Sequence, residues 1–189
     1  HSAEALRILM QIHKEMGDAV SLHVGYVGAV DAEGKIDRTI GEAEIGSAVA
    51  QVCAGMSANE ASWLTYLNCL YEGEIWRSQP LGWQTCAEKS GIDRTDVEAC
   101  IKSGEGETML AKAYSAAMES RISASPTIIV GQHLYGGPRT ADALMQYLCY
   151  TAGVPETRPT VCSSVTPPKK ISATMLYDVR CKSALQCDV

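Results

Sequence analysis

Apolar residues in the first sixteen positions recur every three or four. Leu6, Leu9, Met10 and Met16 share one face, which predicts a helix over residues 3–16. Gly17-Asp18 closes it. The period then drops to two. Val20, Leu22, Val24 and Tyr26 alternate with Ser21, His23 and Gly25, the pattern of a strand with one buried face. Gly25 and Gly28 mark a close backbone approach or the strand end, and the charged stretch 31–41 reads as a loop. Helical period resumes at Ile45, Val49, Val52, Cys53 and Met56. Asn59 is placed to cap a second helix carrying Trp63, Leu64, Leu67 and Leu70. Pro80 opens a short helix through Trp83 and Cys86 that ends near Gly91. Another spans Arg94 to Ile101, and Ser103-Gly-Glu-Gly106 breaks the chain before a helix at 107–120.

A different pattern follows in Ile122-Ser-Ala-Ser-Pro-Thr-Ile-Ile-Val130 and Gly-Gln-His-Leu-Tyr-Gly-Gly-Pro-Arg139. The β-branched run Thr127–Val130 opens after a proline and closes at Gly131. Leu134-Tyr135 makes a short second strand, and a helix runs from Thr140 to Tyr150, so the segment predicts an edge hairpin packed by a helix. Ser125-Pro126 is a candidate cis peptide, because an X-Pro bond carries only a small penalty for that geometry. A trans proline starting an edge strand fits the dipeptide equally well. Residues 151–170 have linker composition, with four prolines. Ile171-Ser-Ala-Thr-Met-Leu-Tyr177 then reads as one more strand, leading into Arg180-Cys181 and Cys187. There is no internal repeat.

Composition narrows the class. At 189 residues the chain can bury one full core with room for a small second lobe. A net charge of −6 argues against nucleic acid and against an anionic membrane surface. No apolar run approaches the roughly 20 residues that span a bilayer. No secretory leader is visible, so the sequence reads as a mature form or a fragment. Phe is absent while Tyr numbers eight, an odd balance for this length that no physical argument from the sequence explains.

Eight cysteines at wide spacings, with four histidines, favour disulfides over metal, because zinc ligands cluster as close Cys pairs. Disulfides imply an oxidising compartment: a periplasm, a lumen or the extracellular space. Eight cysteines allow 105 pairings. The sequence-adjacent set is the expectation: Cys53–Cys69, Cys86–Cys100, Cys149–Cys162 and Cys181–Cys187, with buried free thiols as the alternative for any pair. No cofactor and no metal is expected. An N-terminal His1 can chelate copper, but it needs a second histidine in space from His13, His23 or His133; a cut or processing point explains it more simply.

The stretch Ser125-Pro-Thr-Ile-Ile-Val130, then Tyr135-Gly-Gly-Pro-Arg-Thr140, then Leu144, Leu148 and Cys149 resembles the closing segment of DsbA-like thioredoxin-fold proteins. It is also similar to lysosomal thiol reductases. Gly91-Ile-Asp-Arg-Thr-Asp-Val-Glu-Ala-Cys100 with Ser103-Gly-Glu-Gly106 resembles that family's inserted helical domain. The resemblance covers residues 3–150. It implies an α/β fold, a thioredoxin-like sheet with an inserted disulfide-rich helical domain. Residues 1–40 and 120–150 then form the thioredoxin-like core, 41–119 the helical insert, 151–170 a Pro-rich linker, and 171–189 an extra strand with a Cys pair.

The resemblance implies descent from thiol–disulfide oxidoreductases, whose redox Cys-x-x-Cys follows the first strand. This chain has no Cys-x-x-Cys. In thioredoxin order it supplies helix 1, strand 2, the insert, strands 3 and 4 and the last helix, so the central strand 1 falls before His1. Three resolutions stay open: a fragment missing the redox motif, strand 171–177 filling the place, or that strand opening another unit. Exchange chemistry needs a thiolate of lowered pKa. Cys181, beside Arg180 and Lys182, is the candidate nucleophile and Cys187 its resolving partner, although a structural loop-closing disulfide fits their five-residue spacing. Ser125, Pro126, Thr127, Tyr135 and Arg139 are the candidate surface for a protein or peptide partner by β-augmentation. The alternative class is a non-catalytic interaction or scaffold subunit of a larger extracytoplasmic complex, built on the same fold.

Overall fold

A computed structural model of the chain describes residues 2–72, 82–131, 133–151 and 159–165. Among them are seven α-helices and one two-stranded sheet. Helix α1 (Ser2–Met16) is followed by an extended segment, residues 20–28. A compact turn holds residues 29–37: Asp31 accepts the Glu33 and Lys35 amides on one carboxylate oxygen, and Val30 bridges Ile36. Then come α2 (Glu42–Ser57), α3 (Glu60–Glu72), α4 (Gly82–Ser90), α5 (Arg94–Ser103) and α6 (Glu105–Glu119). The hairpin β1 (Ile129–Val130) and β2 (His133–Leu134) leads into α7 (Ala141–Thr151), and a single 3₁₀ turn, Thr160–Ser163, follows.

Local chemistry sets these boundaries. Asn59 accepts the Ser62 amide at the start of α3, and Asp93 accepts the Thr95 amide at 2.7 Å to start α5, each satisfying an otherwise orphaned helix donor. Gly104, at φ +78°, ends α5 and starts α6 in a left-handed conformation that costs glycine little.

Helix α1 lies between two apolar clusters. Leu6 and Met10 join the larger, built on α2, α3, α5 and α6 around Leu64, Tyr66, Leu67, Leu70, Val97 and Leu110. Ile8, Ile12 and Met16 join the smaller, with Leu144, Met145 and Cys149 of α7 and the inward side of the hairpin. Ile12 is fully buried though it lies outside the expected face, because a helix clamped from two sides buries more than one stripe. Helix α2 is enclosed further still. Ser47, Ala48, Ala50, Gln51 and Ala54 are buried along with Ile45, Val49, Val52 and Cys53, and the small residues let α3, α5 and α6 approach closely. Met56, expected on the inner face, is 44% exposed, one residue before α2 ends.

Two expectations are corrected. The cysteines pair as Cys53–Cys100 and Cys69–Cys86, not Cys53–Cys69 and Cys86–Cys100. Helix α2 packs on α5 and α3 packs on α4, so the helix contacts and not sequence adjacency choose the partners. Cys149–Cys162 bonds as adjacency suggests, tying the 3₁₀ turn to α7. The expected sheet is also smaller. Residues 20–26 are extended and alternate in burial, with Val20, Leu22, Val24 and Tyr26 turned inward, yet among the described residues no ladder forms on them. The β2 pair is His133–Leu134, one residue earlier than expected. The strand at 171–177, the Cys181/Cys187 pair, and most of the 151–170 linker lie outside the described residues, as does Pro80.

Candidate functional site: the proline edge and its hairpin

The segment between α6 and α7 gathers the polar contacts of the candidate surface. The Ser125–Pro126 peptide bond is cis. Thr127 follows, its hydroxyl donating to the Ala124 carbonyl at 2.6 Å. The hairpin then pairs Ile129 with Leu134 and Val130 with His133, and the Tyr135 amide extends the ladder by donating to Ile128 O at 2.9 Å. Gly131, at φ +63°, makes the reversal.

From the far side, Arg139 Nη2 donates to the Pro126 carbonyl at 3.1 Å. That bond spans thirteen residues and fixes the loop after β2 against the loop before β1. Tyr135 supports it: its hydroxyl donates to Pro138 O at 2.9 Å, and its ring meets Tyr147 of α7 edge-on with centroids 5.1 Å apart. Burial, and then the neighbouring Tyr147, raises the Tyr135 phenol above its ordinary pKa, so it stays a neutral donor across the physiological range. A Cβ on Gly137 would press on the Tyr135 ring, so glycine lets the loop fold under it. Thr140 caps α7 by accepting the Ala143 amide at 3.3 Å.

Pro126, Thr127, Tyr135 and Arg139 thus come together on one side of the molecule, with exposed Ser125 beside them in sequence. The cross-strand pair Ile129 and Leu134 adds to them. Both face solvent, Leu134 at 68% exposure, while Ile128 and Val130 face the core. Strict alternation along Ile128-Ile129-Val130 could have assigned Ile129 to the outer face. Leu134 had no such signal, because its strand is two residues long.

The cysteines tell a different story. The six described ones are all in disulfides, and Cys53, Cys86, Cys149 and Cys162 are almost wholly buried. Among the described residues there is no free thiol, and Cys181 and Cys187 lie outside them. His13 sits 2.9 Å from Glu60 across α1 and α3, His23 lies near Ser21, and His133 is on β2. No group of three His, Cys, Asp or Glu side chains converges on a metal-holding position among the described residues, and no described helix is long and apolar enough to cross a membrane.

The described chain is mostly helical, with one small hairpin that enters through Ser125-Pro126 and returns to a closing helix, and its assignment as a thioredoxin-fold domain follows from the family match. Residues 28–149 match the thioredoxin family, a span from the end of the extended segment to Cys149 of α7. That is well over half of the chain, and the chain belongs to this family, which relates it to thiol–disulfide oxidoreductases. The matched span includes the helices α2 to α6. No curated protein and no solved structure matches the chain.

Proposed function

We propose that this chain is a DsbA-like member of the thioredoxin family, exported to an oxidising compartment, that holds an extended protein segment along the Ser125–Pro126 edge. The observation that carries the reading is the Arg139 bond to the Pro126 carbonyl, which fixes the edge within a family whose members handle polypeptide thiols. Exposed Ile129 and Leu134 beside that edge supply apolar contact for the same segment. Three disulfides suit a compartment without a strong thiol reductant. In this reading Cys181 attacks a partner disulfide as the thiolate, forming a mixed disulfide. Cys187 then displaces the partner's thiolate and closes the Cys181–Cys187 bond.

The second reading is a non-catalytic scaffold or interaction subunit. It is favoured by the described cysteines, every one of which is a staple. Graded reduction, alkylation and mass mapping of the 189-residue chain separate the two. An enzyme gives up Cys181–Cys187 to mild reductant well before Cys53–Cys100, Cys69–Cys86 and Cys149–Cys162. If every pair resists alike, the oxidoreductase reading of this chain fails and the scaffold stands.

A further inference from the structure

Among the described residues, 20–26 behave as a strand in every respect but pairing. They are extended and their burial alternates, with Leu22, Val24 and Tyr26 packed against the larger cluster and Val20 against the smaller. Yet between Ser21 and Gly28 no backbone group bonds another among the described residues. The Val20 amide donates to Gly17 O, and the next backbone bond is accepted by Ala29 O. A half-buried run of unpaired peptide groups is costly, and an open strand of this kind is a template for another strand.

We propose that Ile171-Ser-Ala-Thr-Met-Leu-Tyr177 of this same chain pairs with residues 20–26. Three observations favour this occupant. First, the described chain leads toward it: Val165 packs on the same cluster as Val20, Ile128 and Val130, with its carbonyl accepting the Tyr150 hydroxyl at 2.8 Å and Cys149–Cys162 anchoring the turn before it. Second, the reach suffices. Six residues from Val165 to Ile171 span up to roughly 20 Å when extended, and Pro167 and Pro168, which cannot extend a ladder, fall in the bridge. Third, the chemistry fits. Template and occupant are each seven residues long without a carboxylate, lysine or arginine. Within 73–81, 152–158 and 166–189, residues 171–177 are the one run of that length lacking charge and proline. Lys169-Lys170 and Asp178 bracket it, as charges bracket a strand that must not slide.

Amide hydrogen exchange and interstrand NOEs on the labelled, disulfide-intact 189-residue chain test the pairing. The expected result is protection of alternate amides within 21–26, those on the paired edge, by roughly a hundredfold over open peptide, with NOEs from 20–26 to 171–177. Thr174→Pro, which removes a donor from the middle of the strand, should abolish that protection while α2 and α6 keep theirs. Rapid exchange throughout 21–26 in the parent chain overturns the proposal. So does protection without NOEs to 171–177, and so does protection that appears only at concentrations where the chain dimerises, which would assign the strand to a second copy. The NOEs need no variant, so a misfolded Thr174→Pro leaves the test decisive.

Discussion

Two side chains show what single residues contribute. The Tyr66 hydroxyl is buried without a hydrogen-bond partner among the described residues, and burial pushes its pKa far up. Tyr26 is raised likewise, by burial first and then by its neighbours Tyr71, Tyr66 and Tyr114. With no Phe in the chain, tyrosine fills aromatic positions that need no hydroxyl. A phenol raised in the folded state holds its proton above pH ~10, where the unfolded chain has released it. The associated stability is therefore complete below pH ~10 and lost as pH climbs above it. Tyr66→Phe should raise stability at pH 7 by about 1 kcal/mol by removing an unpaired buried hydroxyl. It should also flatten the alkaline loss, as urea unfolding at pH 7 and pH 10.5 (about half a unit above an ordinary tyrosine) will show. Gly106, in the first turn of α6, lies over the Cys53–Cys100 bond, and a Cβ there would overlap Cys53 Sγ and crowd Val49. Gly106→Ala should therefore destabilise by about 1–3 kcal/mol in chemical denaturation, despite alanine's better helix propensity.

Between elements, the disulfides matter in proportion to the chain they close. Cys53–Cys100 spans 47 residues and Cys69–Cys86 spans 17. Loop-closure entropy makes the first worth about 4 kcal/mol and the second about 3 kcal/mol. Paired Cys→Ala variants should lose stability in that order, read from denaturant midpoints under non-reducing conditions. Arg139 joins two loops and is exposed, so Arg139→Ala should leave the melting temperature within a few degrees. On the proposed reading it should also weaken binding of an extended peptide roughly tenfold by isothermal titration. Its partner, a backbone carbonyl, cannot be read from a residue list, whereas the caps at Asn59 and Asp93 can, because a cap acts within three residues.

For the molecule as a whole, α1 is the shared wall of both apolar clusters and couples the helical block to the hairpin and α7. Replacing Ile12, fully buried in that wall, with Ala should cost about 2–5 kcal/mol and unfold both clusters in one transition, seen as coincident near- and far-UV circular dichroism midpoints.

Local pattern determined the helices, through a 3.6-residue period, stop signals such as Gly91 and Ser103-Gly-Glu-Gly106, and caps at Asn59 and Asp93. It also picked out the hairpin, from a proline, a β-branched run and a glycine that act over a few residues. The contacts that tie Pro126 to Arg139 and Tyr135 to Pro138 are local in the same way, since the partners lie within fifteen residues of one another. Tertiary structure decided the rest. Disulfide partners depend on which helices touch, and α2 chose α5 across 47 residues over its sequence neighbour α3 for the bond at Cys53. A period of two at residues 20–26 foretold the inward and outward faces, since these follow from backbone pleat. Whether a strand becomes a sheet depends on a neighbour elsewhere in space, and no local pattern encodes that neighbour.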